Sequence, residues 1–385
     1  MKQYYYYLLI SGFLLFSCTE VKEGDLPVIP VDIVNNTVSQ LPLSEIAETI
    51  TAIELELTDE SLIHPKYIKR IILSDDMVII AQTSNIFIFN RNGKFIRSIG
   101  SKGQGPGEYM EIRNMAFDEK NKRLFVNSNT EIICYDLQGK VIKESPFFQL
   151  NGEKVIVDIN YFNNELLLIS WSMGKEDENG FFDHAEIHRL NDDLQITESC
   201  TILKFYGSTS RSFSAAENYI LILNSIVYLY YPFSKAVPLE YVGKRKQEKS
   251  VLRDTLYRYG NNQLIPDLKL KFKKNGIDAE GYMFIKLINV YRSSRYIFAE
   301  YHNYKEGRND NDLYTLHVFC FDTKTGKGYR VMQDSRYTDD INQVERVTIR
   351  PFHTNPEMFY YWHTHMKPDD LEEPNPTLYI GKLKK

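Results

Sequence analysis

The chain has 385 residues, a formal net charge of −5, 43% hydrophobic residues and 25% charged ones. That length allows one large or two ordinary domains with a substantial core, in the balance of an ordinary globular protein. The mild acidity gives no reason to expect nucleic acid as a partner, and four cysteines without a C-x-x-C pair carry no zinc or thiol-redox motif.

Lys2 precedes a run from Tyr4 to Phe16 that is almost wholly apolar or aromatic, followed by Ser17 and Cys18. A positive start, a short apolar core and a small residue before the cut describe a secretory signal, and the run is too short to span a bilayer. Leu15-Phe16-Ser17-Cys18 resembles the bacterial lipobox, which predicts cleavage after Ser17 and lipidation of Cys18. Two or three acyl chains suffice for stable anchoring, because each buried CH₂ contributes about 0.8 kcal/mol. Residues 18–30 then read as a polar tether and 31–385 as the folded body. Cys134 and Cys320 sit inside apolar runs, where a cysteine is a small buried hydrophobe.

The body is a succession of short strands. Ile68–Leu73, Met77–Gln82, Ile86–Phe89 and Phe95–Ile99 are four apolar runs, the last two joined through Asn92-Gly93. Asn-Gly accepts the positive φ that tight primed hairpins require. The pattern recurs in Ile112–Phe117, Arg123–Asn127, Glu131–Tyr135 and Val141–Glu144, and Gly139 lies 46 residues after Gly93. That spacing is close to the period of a four-stranded propeller blade.

Looser copies follow. The third is Val155–Tyr161, Glu165–Trp171, Ala185–Leu190 and Gln195–Ile202, lengthened by a polar loop at Gly174–Asp183. The fourth is Ser212–Ala216, Tyr219–Asn224, Ile226–Tyr231 and Val237–Val242; the fifth is Tyr282–Val290, Tyr296–His302, Leu313–Phe321 and Gly328–Met332. Val347–Pro351, Met358–His363 and Leu378–Lys382 give three strands of a sixth, whose fourth is expected from Ile46–Leu57, closing the ring and removing an exposed edge. The only helical pattern of note is Gln247–Tyr257. The expected fold is therefore an all-β, six-bladed β-propeller of four-stranded antiparallel blades.

Ile86–Asn90, Asn92–Ile96, Gly100–Gly107 and Met115–Asn127 resemble two successive NHL-type repeats. More closely, the chain resembles the six-bladed β-propeller lipoproteins of Gram-negative bacteria. In that family a lipobox leads into a strand like Leu43–Ile46 with Ile53–Leu57, and a G-x-G-P-G-E-Y crossing follows one blade later. The resemblance covers residues 40–145 strongly, 150–245 fairly and the remainder thinly. It implies a fold and an envelope location, with the outer membrane expected, and no reaction.

Gly103-Gln-Gly105-Pro106-Gly107 superficially looks like a phosphate-cradling loop. Such a loop opens a helix, whereas here Pro106 removes an amide donor and a strand follows, so the run reads as a crossing between blades. Glu108 and Tyr109 are then expected near the end of the ring where ligands enter. His363-Thr-His365 puts two imidazoles on one strand face, and His353 lies nearby in sequence, so these three are the candidate metal ligands. Phe359-Tyr360-Tyr361-Trp362 offers Tyr361 and Trp362 either to inter-blade packing or to a ligand such as a sugar ring. Lys244–Lys274 carries ten Lys/Arg against three Asp/Glu and reads as a solvated basic loop, with an anionic polymer as its other use.

The functional expectation is a monomeric, lipid-anchored binding or scaffold module for a protein, peptide or glycan, touching the membrane through Cys18 and using no cofactor. The alternative is a hydrolase or lyase with a divalent metal held by His353, His363 and His365 in the central channel.

Overall fold

A computed structural model of the chain describes residues 26–31, 37–38, 40–128, 131–145, 154–178, 180–206, 220–229, 236–238, 248–250, 254–276, 284–304, 314–331, 336–365 and 374–385. The signal sequence and Cys18 lie outside these residues. Of the expected tether, Val28–Pro30 is already a strand of the body.

The described residues form an all-β propeller with seven blade sheets, one more than the sequence suggested. Blade 1 is Ile68–Leu73, Met77–Gln82, Ile86–Asn90 and Phe95–Ser98; blade 2 is Asn114–Asp118, Arg123–Asn127, Ile132–Asp136 and Val141–Glu144. Blade 3 is Lys154–Phe162, Glu165–Asp177, Gly180–Leu190 and Ile196–Tyr206; blade 4 is Ile220–Leu223, Ile226–Leu229, Thr255–Gly260 and Gln263–Lys271. Blade 5 is Ile285–Arg292, Tyr296–Asn303, Thr315–Asp322 and Lys327–Val331. Blade 6 is smaller, with Tyr337–Asp339 and Val344–Val347 beside Leu41–Pro42. Blade 7 is Arg350–Phe352, Asn355–His363 and Thr377–Leu383, completed by Ala47–Glu54.

Four local expectations are corrected. The loop at Gly174–Asp183 is mostly a continuation of the blade 3 hairpin, with Lys175 opposite Phe182 and Asp177 opposite Gly180. The outer strands of blade 4 come from the basic segment, joined by Asn261-Asn262 at φ 50 and 55. Asparagine tolerates that left-handed region, so the pair makes a tight hairpin. The expected fourth strand, Val237–Val242, is instead represented by Ala236–Pro238 paired with Glu248–Ser250 in a two-stranded sheet. The expected first strand Ser212–Ala216 lies outside the described residues, and strand Thr255–Gly260 replaces the end of the helical pattern.

Packing explains why blades 1 and 2 read as continuous apolar runs. Each sheet is covered on both faces, so both sets of alternating side chains are buried. In Met77–Gln82, Met77, Ile79 and Ala81 pack toward blade 2 with Ile133 and Tyr135, while Val78 and Ile80 pack toward blade 7 with Tyr360 and Ile380. Phe125 and Cys134 turn the other way, against Ile159 and Leu168 of blade 3. Blades 4, 5, 6 and 7 share the largest apolar cluster, which includes Leu268, Phe298, Phe319, Tyr337 and Phe359.

The hairpin between the third and fourth strands of four blades ends in the same device. Asn90, Asp136, Asn191 and Asp322 each accept backbone amides two to four residues ahead on their side-chain Oδ1. Gly93 and Gly139 follow two of these at φ 83 and 85, the first as its Asn-Gly signal required.

Ring closure is more extensive than a single strand. The N-terminal segment runs along four outer edges in turn. Val28–Pro30 pairs in parallel with Lys269–Lys271 of blade 4, Thr37–Val38 with Arg330–Val331 of blade 5, and Leu41–Pro42 with Tyr337–Thr338 of blade 6. Ala47–Glu54 then pairs antiparallel with Thr377–Leu383, the expected closing strand. Blade 6 escapes notice in sequence because its strands are short and one of them is donated from the other end of the chain.

Candidate functional site

A buried ion pair occupies the hub. Arg70, on the innermost strand of blade 1, places Nη2 2.5 Å from Asp158 Oδ1 on the innermost strand of blade 3. Its Nη1 donates to the carbonyls of Met115 in blade 2 (2.8 Å) and Ile159 in blade 3 (2.6 Å). Asp158 also accepts the amides of Ile159 (2.8 Å) and of Ile220 in blade 4 (3.1 Å). One ion pair thus ties four blades together. Both residues sit beside β-bulges, between Ile68 and Arg70 and between Ile156 and Asp158, a device that re-aims side chains. Burial pushes the Asp158 carboxyl above its ordinary value, opposed by Arg70 and the two amides.

Beside this pair lies a cavity of about 510 Å³. Its walls are the later halves of the innermost strands of blades 1, 2, 3, 4 and 7 and the turns that follow them. Blades 4 and 7 meet here directly, through the amide of Ile222 donating to the carbonyl of His353 at 2.7 Å. Two of the turns carry consecutive left-handed residues, Asn163-Asn164 (φ 52 and 62) and Asn224-Ser225 (φ 49 and 63), all four exposed and lining the cavity. Asp118 is held by Arg123 at 2.8 and 3.0 Å and by Asn121. Burial alone would raise its carboxyl, but those hydrogen bonds outweigh burial and lower it. Glu119 accepts from Ser74 at 2.7 Å and from Lys122 at 2.5 Å.

Of the residues singled out in sequence, only His353 lines this cavity. Glu108 and Tyr109 belong to the crossing, which enters blade 2 at the opposite end of its innermost strand. Glu108 accepts from the amide of Gly105 (2.9 Å) and the hydroxyl of Ser101 (3.4 Å), capping its own loop. Tyr109 is buried, donates to the carbonyl of Ile99 (3.1 Å), and has its hydroxyl pKa pushed well up by burial. Short parallel pairing of Ser101–Lys102 with Glu108–Tyr109 completes a structural crossing.

Tyr361 is buried, stacks on Tyr379 at 4.7 Å and donates to Asp339. Trp362 is half-buried beneath the Arg350 guanidinium, 4.5 Å from its ring. Both serve inter-blade packing. His363 and His365 do meet, with ring centroids 4.5 Å apart, and His365 Nε2 lies 2.9 Å from the Tyr379 hydroxyl. Burial, then His365, lowers the pKa of His363. His353 lies in the turn before the strand Asn355–His363, at whose far end His363 stands, and the eight residue steps of that strand span about 26 Å. The three histidines therefore do not assemble into one metal site, and among the described residues no group of three metal-ligating side chains converges.

Sequence reasoning missed Arg70, Asp158, Asn160, Phe162 and Asn224. A signal was present for one of them: Asp158 is the single acidic residue in an apolar run, whereas Arg70 follows Lys69 and does not stand out. The Asn163-Asn164 and Asn224-Ser225 pairs are turn signatures at equivalent places in two blades.

A β-propeller with a one-sided polar cavity over a closed hub is the class that fold and site define. The chain belongs to the family described as Domain of unknown function (DUF4934), whose model matches residues 26–384. No curated protein matches the chain. Among solved structures it is similar to a protein of Bacteroides fragilis NCTC 9343 whose name predicts export. That likeness has a TM-score of 0.60 and 15% identity, covering 93% of this chain and 100% of that one. A DUF4221 family member from Bacteroides vulgatus ATCC 8482 gives 0.49 and 10%, covering 88% and 97%. The WD40 domain of Neurospora crassa Pan2 gives 0.38 and 12%, covering 83% and 76%. At these identities the first of them shows the fold.

Proposed function

We propose that this chain is an exported, lipid-anchored binding propeller whose hub cavity seats the polar group of a protein, peptide or glycan partner. One observation carries the reading: a cavity beside a buried ion pair, walled by strand ends of five blades and by turns of four of them. Such a concave, mixed apolar and amide-bearing site is the usual form of a binding pocket, and its volume lies within the common range of about 300–1,000 Å³. Turn residues on a rigid scaffold supply recognition without disturbing the core. In this reading residues 1–17 are removed, Cys18 is lipidated and the segment after it is the tether, as in the six-bladed lipoproteins that the sequence resembles. The name of the Bacteroides fragilis neighbour supports export.

The test is partner capture by cross-linking in intact cells. Wild type is compared with Thr354→Trp, which fills the cavity mouth, and with Ile142→Trp on an exposed outer strand. The reading requires a partner kept by Ile142→Trp and lost by Thr354→Trp. A partner held equally by both variants places binding elsewhere. Anchoring is tested separately by fatty-acid labelling and membrane fractionation of Cys18→Ala, and label retained by that variant refutes it.

A further inference from the structure

Resting on the hub-cavity reading, we infer that the group this cavity recognises is an uncharged sugar ring. The charges around the cavity are already committed. Arg70 is paired with Asp158 at 2.5 Å, Asp118 with Arg123 at 2.8 Å and Glu119 with Lys122 at 2.5 Å. Lys120 is left at the exposed rim, where a single solvated cation adds little to anion binding. An anionic ligand therefore finds no uncommitted countercharge at the floor.

What the cavity offers instead is carboxamide chemistry. Asn160 is 3% exposed, and its Nδ2 has no hydrogen-bond partner. It stands two residues beyond Asp158, on the same side of the strand. Asn163 and Asn164 add side-chain amides at the mouth, and Asn224 adds its amide oxygen, its Nδ2 donating to Ser294 at 3.3 Å. A carboxamide donates and accepts at once, which suits hydroxyls that do the same. Phe162 is half-buried on the same wall, its inner side packed in the cluster between blades 3 and 4. An aromatic face beside several amides matches a ring with apolar C–H faces and a hydroxyl edge.

The experiment is saturation-transfer NMR and titration calorimetry on the purified chain. The probes are glucose, galactose, mannose and N-acetylglucosamine, against glucuronate, galacturonate and inorganic phosphate. At least one neutral sugar is expected to bind. Phe162→Leu keeps apolar packing, and Asn164→Asp keeps a residue that tolerates positive φ. Each should weaken that sugar about tenfold, the loss of one to two good contacts, with an unchanged melting temperature as the folding control. Binding of uronates or phosphate without neutral sugars overturns the inference, as does neutral-sugar binding indifferent to both variants or no binding by any probe. If no sugar binds while Thr354→Trp still abolishes partner capture, the cavity reading stands and the sugar assignment alone falls.

Discussion

Replacing Arg70 by Met removes the cation from the hub while keeping the length of the side chain. Asp158 is then left with two backbone amides and no countercharge, and the carbonyls of Met115 and Ile159 lose a shared donor. Breaking a buried ion pair on one side costs about 3–5 kcal/mol, because the abandoned charge stays buried. Adding Asp158→Asn restores neutrality and keeps an oxygen for the two amides, so Arg70→Met/Asp158→Asn should be more stable than Arg70→Met alone. The pH dependence follows from the same residue. Burial already raises the folded-state carboxyl of Asp158, and loss of Arg70 raises it further. The unfolded chain ionises this group near about 3.9. Between that value and the raised folded value the folded state holds the extra proton, so stability falls as pH rises. The deficit of Arg70→Met should therefore be larger at pH 7 than at pH 4. Urea unfolding, followed by the fluorescence of Trp171 and Trp362 in blades 3 and 7, measures all of this. A single variant within about 1 kcal/mol of wild type would refute the reasoning. So would a double variant that loses the sum of both single costs, or a deficit that grows toward low pH.

Gly93→Ala should be much more harmful than Gly139→Ala. Both have positive φ, but a Cβ at Gly93 would lie 1.9 Å from the carbonyl oxygen of Glu54, whereas at Gly139 the nearest atoms are 3.9 Å away. Gly139→Ala should cost about 1 kcal/mol, and equal unfolding midpoints for the two variants would argue against the packed turn. Tyr361→Phe removes a hydroxyl from the buried Asp339, which keeps the amides of Ile341 and Asn342. A loss of about 1–3 kcal/mol is expected in the same urea assay. Asp322 is held well below the ordinary carboxylate range, chiefly by its hydrogen bonds to Arg295. A lowered folded value gives stability that is present above the unfolded value and lost as pH falls toward the folded one. Asp322→Asn should therefore destabilise near neutrality and converge with wild type in acid; a gap independent of pH would disprove the assignment. Finally, removing residues 1–39 should leave a folded but less heat-stable ring. Removing 1–54 strips the closing strand from Thr377–Leu383 and should yield aggregate on gel filtration.

Some of this was legible in the residues. The Asn-Gly turn at Gly93, its echo at Gly139 and the four apolar runs around each gave blades 1 and 2 to within a residue or two. The closing strand within Ile46–Leu57 was also readable, because the last blade visibly lacked a strand and an open edge is a liability. Blade 4 misled because its outer strands, Thr255–Gly260 and Gln263–Lys271, lie within a basic segment and are only partly buried. Such strands carry no clean apolar alternation. The candidate site fared worse. Sequence leaves Tyr361 and Trp362 open between inter-blade packing and a ligand, and puts Glu108 and Tyr109 near the ligand end; in the folded chain the first two pack and the second two hold the crossing.

The sequence by itself determined what acts between neighbours in the chain: hairpins, the glycine-rich crossing, sheets buried on both faces, and the need for a strand to close the ring. These follow from turn geometry and side-chain alternation, which operate over a few residues. Only the tertiary structure decided what lies at the centre. Arg70 and Asp158 are 88 residues apart and become partners because the angular placement of the blades brings two bulged strands to one axis. The same placement gathers amide-bearing turns of separate blades into one cavity, sets His353 far from His363, and builds a seventh sheet from Leu41–Pro42 and a hairpin nearly 300 residues later.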